Sequence, residues 1–225
     1  MTQTADPWQD ARKVIGAERV TLGPVASHSW LHQPDHLAMQ LSRYRAASAL
    51  IGSATDIVEL GCGEGLGSRI LIQGRATYYG LDDDVDALGV AAELYGADDI
   101  QFRRADILDF GGITLTASSW DAVVSLDVIE HIPAEREDDF MRTVTSLLYQ
   151  DLGIAVIGTP SKHAEHLASP QSRAGHINLY TPDRLRTLMG RYFHTVQMLY
   201  SQDTGLHLGH PEMAHYIFGV GHGPR

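Results

Sequence analysis

Glycines occupy alternate positions in Gly61-Cys62-Gly63-Glu64-Gly65, directly after the apolar run Ile57-Val58-Glu59-Leu60. Residues without a Cβ atom let the backbone turn sharply or lie against a ligand. A helix-like pattern follows, and the unpaired N–H groups of a helix start suit an electron-rich ligand group. The spacing narrows the ligand. A dinucleotide fingerprint of the form G-x-G-x-x-G/A needs a small residue at its sixth position, where Leu66 stands. Glu59, two positions before the first glycine, adds a carboxylate. Further along, Asp82, Asp83 and Asp84 share one turn, and Asp106 and Asp109 another. His131, His163 and His176 supply imidazoles, the side chain most often used to move protons.

Holding such groups together takes a sheet whose strands all end at one edge. From residue 56 the pattern alternates between short apolar runs and helical periodicity, as a parallel α/β unit should. Strands are expected at 56–60, 76–81, 100–104, 120–126 and 153–158, then 192–200 and 213–220. Helices are expected at about 64–73, 84–95 and 134–149, with another opening at Thr181-Pro182, where Thr caps and Pro suits the first turn. Upstream, residues 1–26 read as a tail and lead-in and 27–36 as a loop. Leu37, Leu41, Tyr44, Ser48 and Ile51 recur at helical spacing, so 35–51 is an amphipathic helix that Gly52 stops. This divides the chain into a tail and helical cap over 1–52 and a ligand-binding domain over 53–225. The stretch 160–180 is long for a connection in a compact domain and is a candidate functional segment.

The strand ends place the acids. In nucleotide-binding α/β folds, an acid after the second strand hydrogen-bonds ribose hydroxyls. Asp82 stands there, with Asp83 an immediate rival. Asp84 can instead cap the next helix. Asp106 follows the third strand, with Asp109 its rival.

The totals exclude several functions. A net charge of −11 over 225 residues argues against nucleic-acid binding, which needs a basic footprint. The single cysteine, Cys62, excludes an intramolecular disulfide and a multi-cysteine zinc site, and it reads as a small packing residue. The N-terminus is polar with no signal-peptide pattern, and no apolar run is long enough to span a membrane. A cytoplasmic setting is expected, and a homodimer is compatible with the sequence.

The segment Glu59-x-Gly61-x-Gly63-x-Gly65 resembles motif I of the class I S-adenosylmethionine-dependent methyltransferases, whose hallmark is E/D-x-G-x-G-x-G. The resemblance covers about 37–220 and implies a Rossmann-like fold. Its sheet has seven mostly parallel strands and an antiparallel C-terminal hairpin, beneath an N-terminal helical lid. It implies S-adenosyl-L-methionine as cofactor, held by Glu59, Gly61, Cys62, Gly63 and Gly65. Asp82 and Asp83 then serve the ribose. Asp106 and the backbone of Ile107 serve the adenine. Trp120-Asp121-Ala-Val-Val-Ser-Leu-Asp-Val-Ile-Glu-His resembles the strand-four segment of the ubiquinone-biosynthesis O-methyltransferases. That places Leu126 and Asp127 by the methionine half of the cofactor and the Glu130-His131 pair near the transferred methyl. Trp30 and Tyr44, with His28 and Arg43, become lid residues able to touch substrate, although packing of the lid explains the two aromatics equally well.

Methyl transfer from a sulfonium needs its acceptor positioned and, for a hydroxyl or ammonium, deprotonated. His131 is the first candidate base and His176 the second, while His163 borders the acceptor. His131 can instead cap a turn or bond Glu130. Glu130-His131 with His163, or His163-x-x-His166 with His176, can be drawn as metal ligands, as in the RNA 3′-end methyltransferases. Their helical Glu-x-x-His arrangement is absent, so no metal is expected. The expected function is methyl transfer to an oxygen or nitrogen of a small molecule: a sugar, an antibiotic-pathway or other secondary metabolite, or a quinone-like phenol. The alternatives are a Glu/His metal-assisted RNA or sugar methyltransferase, a nicotinamide oxidoreductase, and a non-catalytic cofactor-binding partner subunit.

Overall fold

A computed structural model describes residues 7–16, 19–110, 119–202 and 205–225. β1 (Asp56–Leu60), β2 (Thr77–Asp82), β3 (Ile100–Arg104), β4 (Ala122–Leu126) and β5 (Ile154–Pro160) run parallel. β6 (Phe193–Ser201), β7 (Leu206–His207) and β8 (Tyr216–Pro224) complete one sheet in the order β3-β2-β1-β4-β5-β8-β6-β7. β8 pairs antiparallel with both β5 and β6, which gives the expected hairpin edge. The sheet has eight strands rather than seven, because the two-residue β7 pairs Leu206 with Ser201 and His207 with Tyr200.

Central strands are buried on both sides, so their sequences are apolar almost throughout: Ile57, Val58 and Leu60 in β1 and Val123 and Val124 in β4 are fully inaccessible. One face packs Val58, Leu60, Val123 and Trp120 beneath α6 (Glu137–Leu147) and α8 (Pro182–Gly190). The other packs Ile57, Val124 and Val156 beneath α3 (Pro34–Leu50), α4 (Ser68–Leu71) and α5 (Val85–Tyr95). Helix starts follow capping chemistry. Asp84 accepts from the N–H groups of Asp86 and Ala87 at the head of α5, and Thr181 accepts from Arg184 N–H at the head of α8.

Three expectations change. Residues 27–36 are not a loop, because α2 (Pro24–His32) occupies most of them. Pro24 follows Gly23 and opens the helix, as Pro34 opens α3, and a proline at the first turn gives up only an N–H that has no intrahelical partner. Part of the tail is also helical, as α1 (Pro7–Ile15). The helix expected at 64–73 shrinks to the four residues of α4, since the glycine turn extends to Gly67. The 160–180 stretch holds a 3-10 turn over Lys162–Leu167 and α7 (Pro170–Gly175), whose cap is the Ser169 hydroxyl accepting from Ser172 N–H.

Candidate active site

β1 and β4 are neighbours, yet the chain leaves them for opposite sides of the sheet, and ligands of open α/β sheets bind at such a switch point. Gly61, Gly63 and Gly65 follow β1, with φ of +78°, +51° and +73°. A Cβ at Gly61 would lie 2.2 Å from Val128 Cγ2. A Cβ at Gly63 would meet nothing within 4 Å, because that residue faces open space. Gly65 instead packs against Phe102 and Ala91.

That space is a cleft in two compartments. One, of about 350 Å³, is lined by Asp83, Asp106, Ile107, Val128 and His131. The other, of about 520 Å³, is lined by Gln40 and Tyr44 of α3, the first turn of α2, Cys62, Glu64 and Leu126. Gly61, Gly63, Asp82 and Asp127 line both. The combined size suits a nucleoside-bearing ligand.

Asp82 receives the Gly63 N–H at 2.7 Å and the Asp84 N–H at 3.0 Å, so it braces the turn at the junction of the compartments. Asp106 accepts from the N–H groups of Leu108 and Asp109 at 2.8 and 3.3 Å, a side-chain turn that fixes the end of β3. Glu59 behaves differently. It lies behind the turn, fully buried, accepting from the Tyr78 hydroxyl, and lines neither compartment. Burial outweighs the Tyr78 and Tyr44 hydroxyls, which favour the charged form, and pushes its carboxyl up to about 7. The structure therefore gives Glu59 a supporting place. Cys62 is buried and its thiol is pushed up, chiefly by burial and then by Glu59, which suits packing rather than nucleophilic attack.

The floor of the site joins the lid to the sheet. Arg43 of α3 donates to both carboxylate oxygens of Asp127, at 3.0 and 2.9 Å, and its guanidinium lies 4.1 Å from the centre of the Tyr216 ring. Asp127 takes φ +57°, unusual outside glycine, and its N–H donates to Gly158 O at 3.0 Å. Glu130 is fully buried and accepts from the Thr159 hydroxyl at 3.0 Å. Burial, reinforced by Asp127, pushes its carboxyl up to about 8. Its Oε1 and the Tyr216 hydroxyl have no hydrogen-bond partner among the described residues.

His131 and His176 do meet. Their ring centres are 5.2 Å apart, edge to face. His131 Nδ1 is 2.8 Å from Gly175 O. A carbonyl can only accept, so Nδ1 carries the proton, and in the neutral ring Nε2 keeps its lone pair. His176 is half-buried, and burial followed by the neighbouring His131 lowers its pKa. Glu130, His131 and His176 each offer a ligand atom within 4.8 Å of the others. Neither ligand set drawn from the sequence forms in that way, because His163 and His166 line a separate cavity with Glu212, Met213 and His215. Trp30 is 62 % exposed and lines neither compartment, whereas Tyr44 is buried at the wall of the larger one.

Sequence reasoning gave Arg43 no partner and overlooked Tyr216 and Gln40. Arg43 was legible: it lies on the inward stripe of α3 with Gln40, Tyr44 and Ala47, and a cation on a buried stripe requires a partner. Tyr216 gave no signal, because its place depends on how β8 pairs with β5.

A family model described as "Methyltransferase domain" matches residues 30–192 of the chain. No curated protein matches its sequence. Among solved structures, it is similar to the methyltransferase domain of a bacterial Hen1 protein, CtHen1-C (19 % identity, TM-score 0.64, covering 82 % of this chain and 98 % of that one). It is similar to the N-methyltransferase NodS from Bradyrhizobium japonicum in complex with S-adenosyl-L-homocysteine (18 %, 0.60, 84 % and 87 %). It is also similar to magnesium protoporphyrin IX methyltransferase (ChlM) from Synechocystis PCC 6803 with the same product bound (17 %, 0.60, 95 % and 92 %).

Proposed function

This chain belongs to the methyltransferase-domain family, and we propose that it uses S-adenosylmethionine, the donor whose demethylated form its structural neighbours bind, to methylate an oxygen or nitrogen of a small molecule, with His131 as general base. The residues fit the methyl donor. Gly63 leaves an opening that any Cβ would narrow, and the cleft runs from Asp106 past Asp82 to Tyr44 and Asp127. Asp106 and the Ile107 backbone would hold the adenine, Asp82 and Asp83 the ribose, and Leu126 and Asp127 the methionine end, beside Arg43. S-adenosylmethionine supplies an electrophilic methyl group on a sulfonium and carries the intrinsic reactivity.

The protein's own contribution is to position and deprotonate the acceptor. His131 carries the reading: it lines the cleft and presents the Nε2 lone pair, because Gly175 O occupies its Nδ1–H. Proton removal at Nε2 is worth roughly 10²–10⁴-fold in rate. Glu130, kept neutral around pH 7 by burial, adds no fixed charge beside that imidazole. The net charge of −11 supports a small acceptor rather than RNA. The test is product formation, read as S-adenosylhomocysteine released, against a panel of phenols, sugars, amines and RNA 3′ ends. Turnover with RNA alone would overturn the reading.

The Glu130–His131–His176 cluster supports a second reading, in which a divalent cation shared by the three assists the reaction. Activity lost on dialysis against a chelator and restored by Mn²⁺, Mg²⁺ or Zn²⁺ would favour it; unchanged activity would reject it.

A further inference from the structure

The His131 imidazole is set by a backbone carbonyl from a different segment, so whatever fixes that segment fixes the imidazole. Two bonds join the segment to the His131 turn: His131 Nδ1–H to Gly175 O at 2.8 Å, and Asn178 N–H to Glu130 O at 3.0 Å. Behind them runs a chain of side chains that the reaction itself does not use. Asn178 Nδ2 donates to the Tyr180 hydroxyl at 2.9 Å, and that hydroxyl donates to Glu137 Oε2 at 2.8 Å. Arg184 Nη2 donates to the same Glu137 oxygen at 2.6 Å, its guanidinium lies 4.1 Å from the Tyr180 ring centre, and its Nη1 donates to Leu179 O at 3.0 Å. Asn178 and Tyr180 are buried, so these bonds face little competition from water. Burial and the Glu137 carboxylate push the Tyr180 phenol up, which keeps it a donor. The chain spans α6, α8 and the segment between them, and it ends two residues from His176.

We propose that Asn178, Tyr180 and Glu137 are positioning residues: they hold the 175–178 segment so that the Gly175 carbonyl keeps the His131 proton on Nδ1 and leaves Nε2 open to the cleft. The proposal rests on His131 acting through Nε2. It assigns a role to residues that touch neither cofactor nor acceptor. Without the Tyr180 hydroxyl, Asn178 Nδ2 and Glu137 Oε2 lose their shared partner, the segment relaxes, and the Gly175 carbonyl no longer fixes one tautomer.

The test reads the tautomer directly. The full chain is labelled with ¹⁵N-histidine, and two-bond ¹H–¹⁵N correlation spectra are recorded at pH 8.5, well above the ordinary imidazole pKa. The His131 pattern is identified by its loss in His131→Asn. The wild type is expected to show Nδ1 protonated and Nε2 bare. Tyr180→Phe, which keeps the ring, and Asn178→Ala, which keeps the tyrosine, are each expected to lose that pure pattern and show the Nε2–H form. Affinity for S-adenosylhomocysteine should stay within about twofold, because neither residue lines the cofactor cleft. Tyr192→Phe removes a comparable hydroxyl, bonded to Asp138 at 2.7 Å, and should leave the His131 pattern intact. The wild-type pattern surviving in both Tyr180→Phe and Asn178→Ala would overturn the proposal, as would an Nε2–H tautomer in the wild type. Failure of the catalytic reading registers separately, as turnover undiminished in His131→Asn.

Discussion

Glu59 makes the fold sensitive to pH in a way that can be worked out beforehand. Its carboxyl is fully buried in β1 and pushed up to about 7 from an ordinary 4.5, chiefly by burial. Below pH 4.5 both the folded and the unfolded chain hold the proton, and the group costs nothing. Between 4.5 and 7 the unfolded chain ionises while the folded chain keeps its proton, so stability falls as pH rises. Above 7 both are ionised, and the loss levels off at about 3 kcal/mol, a shift of roughly 2.5 units at 1.36 kcal/mol each. Glu59→Gln removes this slope. Glutamine keeps an oxygen for the Tyr78 hydroxyl, but its amide N–H groups replace Glu59 Oε1, which has no partner among the described residues. The protonated carboxyl already carries one donor there, so the amide adds one further N–H, which costs about 1–3 kcal/mol at every pH. The variant should therefore be less stable than wild type at pH 5 and equal or more stable at pH 8. Urea unfolding followed by circular dichroism at both values measures this, and differencing against wild type cancels the similar contribution of Glu130. A wild-type-minus-variant difference that stays constant from pH 5 to pH 8 would refute the buried, proton-bearing Glu59.

Other outcomes follow from the site. Asp82→Ala should weaken S-adenosylhomocysteine binding by about 1–3 kcal/mol, since it removes the proposed ribose partner and releases the Gly63 N–H; calorimetry showing unchanged affinity would move the proposed ribose contact to Asp83. His131→Ala should lower turnover at least about 100-fold while product affinity holds. Equal turnover would transfer the base to His176, whose ring lies next to it.

The fold was legible wherever one local pattern had one outcome. The β-branched run before Gly61, the Thr181-Pro182 start of α8 and the positions of Asp82 and Asp106 at strand ends could be read locally, because turn and cap chemistry is local. Two other features were hidden, one by its shortness and one by a weak periodicity. β7 is too short to announce itself. The weak amphipathic pattern of α2 hid a helix that its Gly23-Pro24 start alone could have revealed. Within the site, the glycine turn and Asp82 were visible in the sequence, but the partners of His131 were not. That imidazole meets Gly175 and His176 only because the 160–180 segment folds back across the strand ends. The same return leaves His163 in another cavity.

The backbone bared at Gly61–Gly65 and the acids beside it are proposed to hold a sulfonium nucleoside. Titration calorimetry of the purified chain with S-adenosylhomocysteine, and with NAD as a comparison, tests it most directly when paired with Gly63→Val. That variant sets a β-branched side chain where φ is +51° and the cleft opens. One molecule of S-adenosylhomocysteine should bind per wild-type chain, NAD should give no heat, and binding should be abolished in the variant. Binding that persists undiminished in Gly63→Val would contradict this assignment.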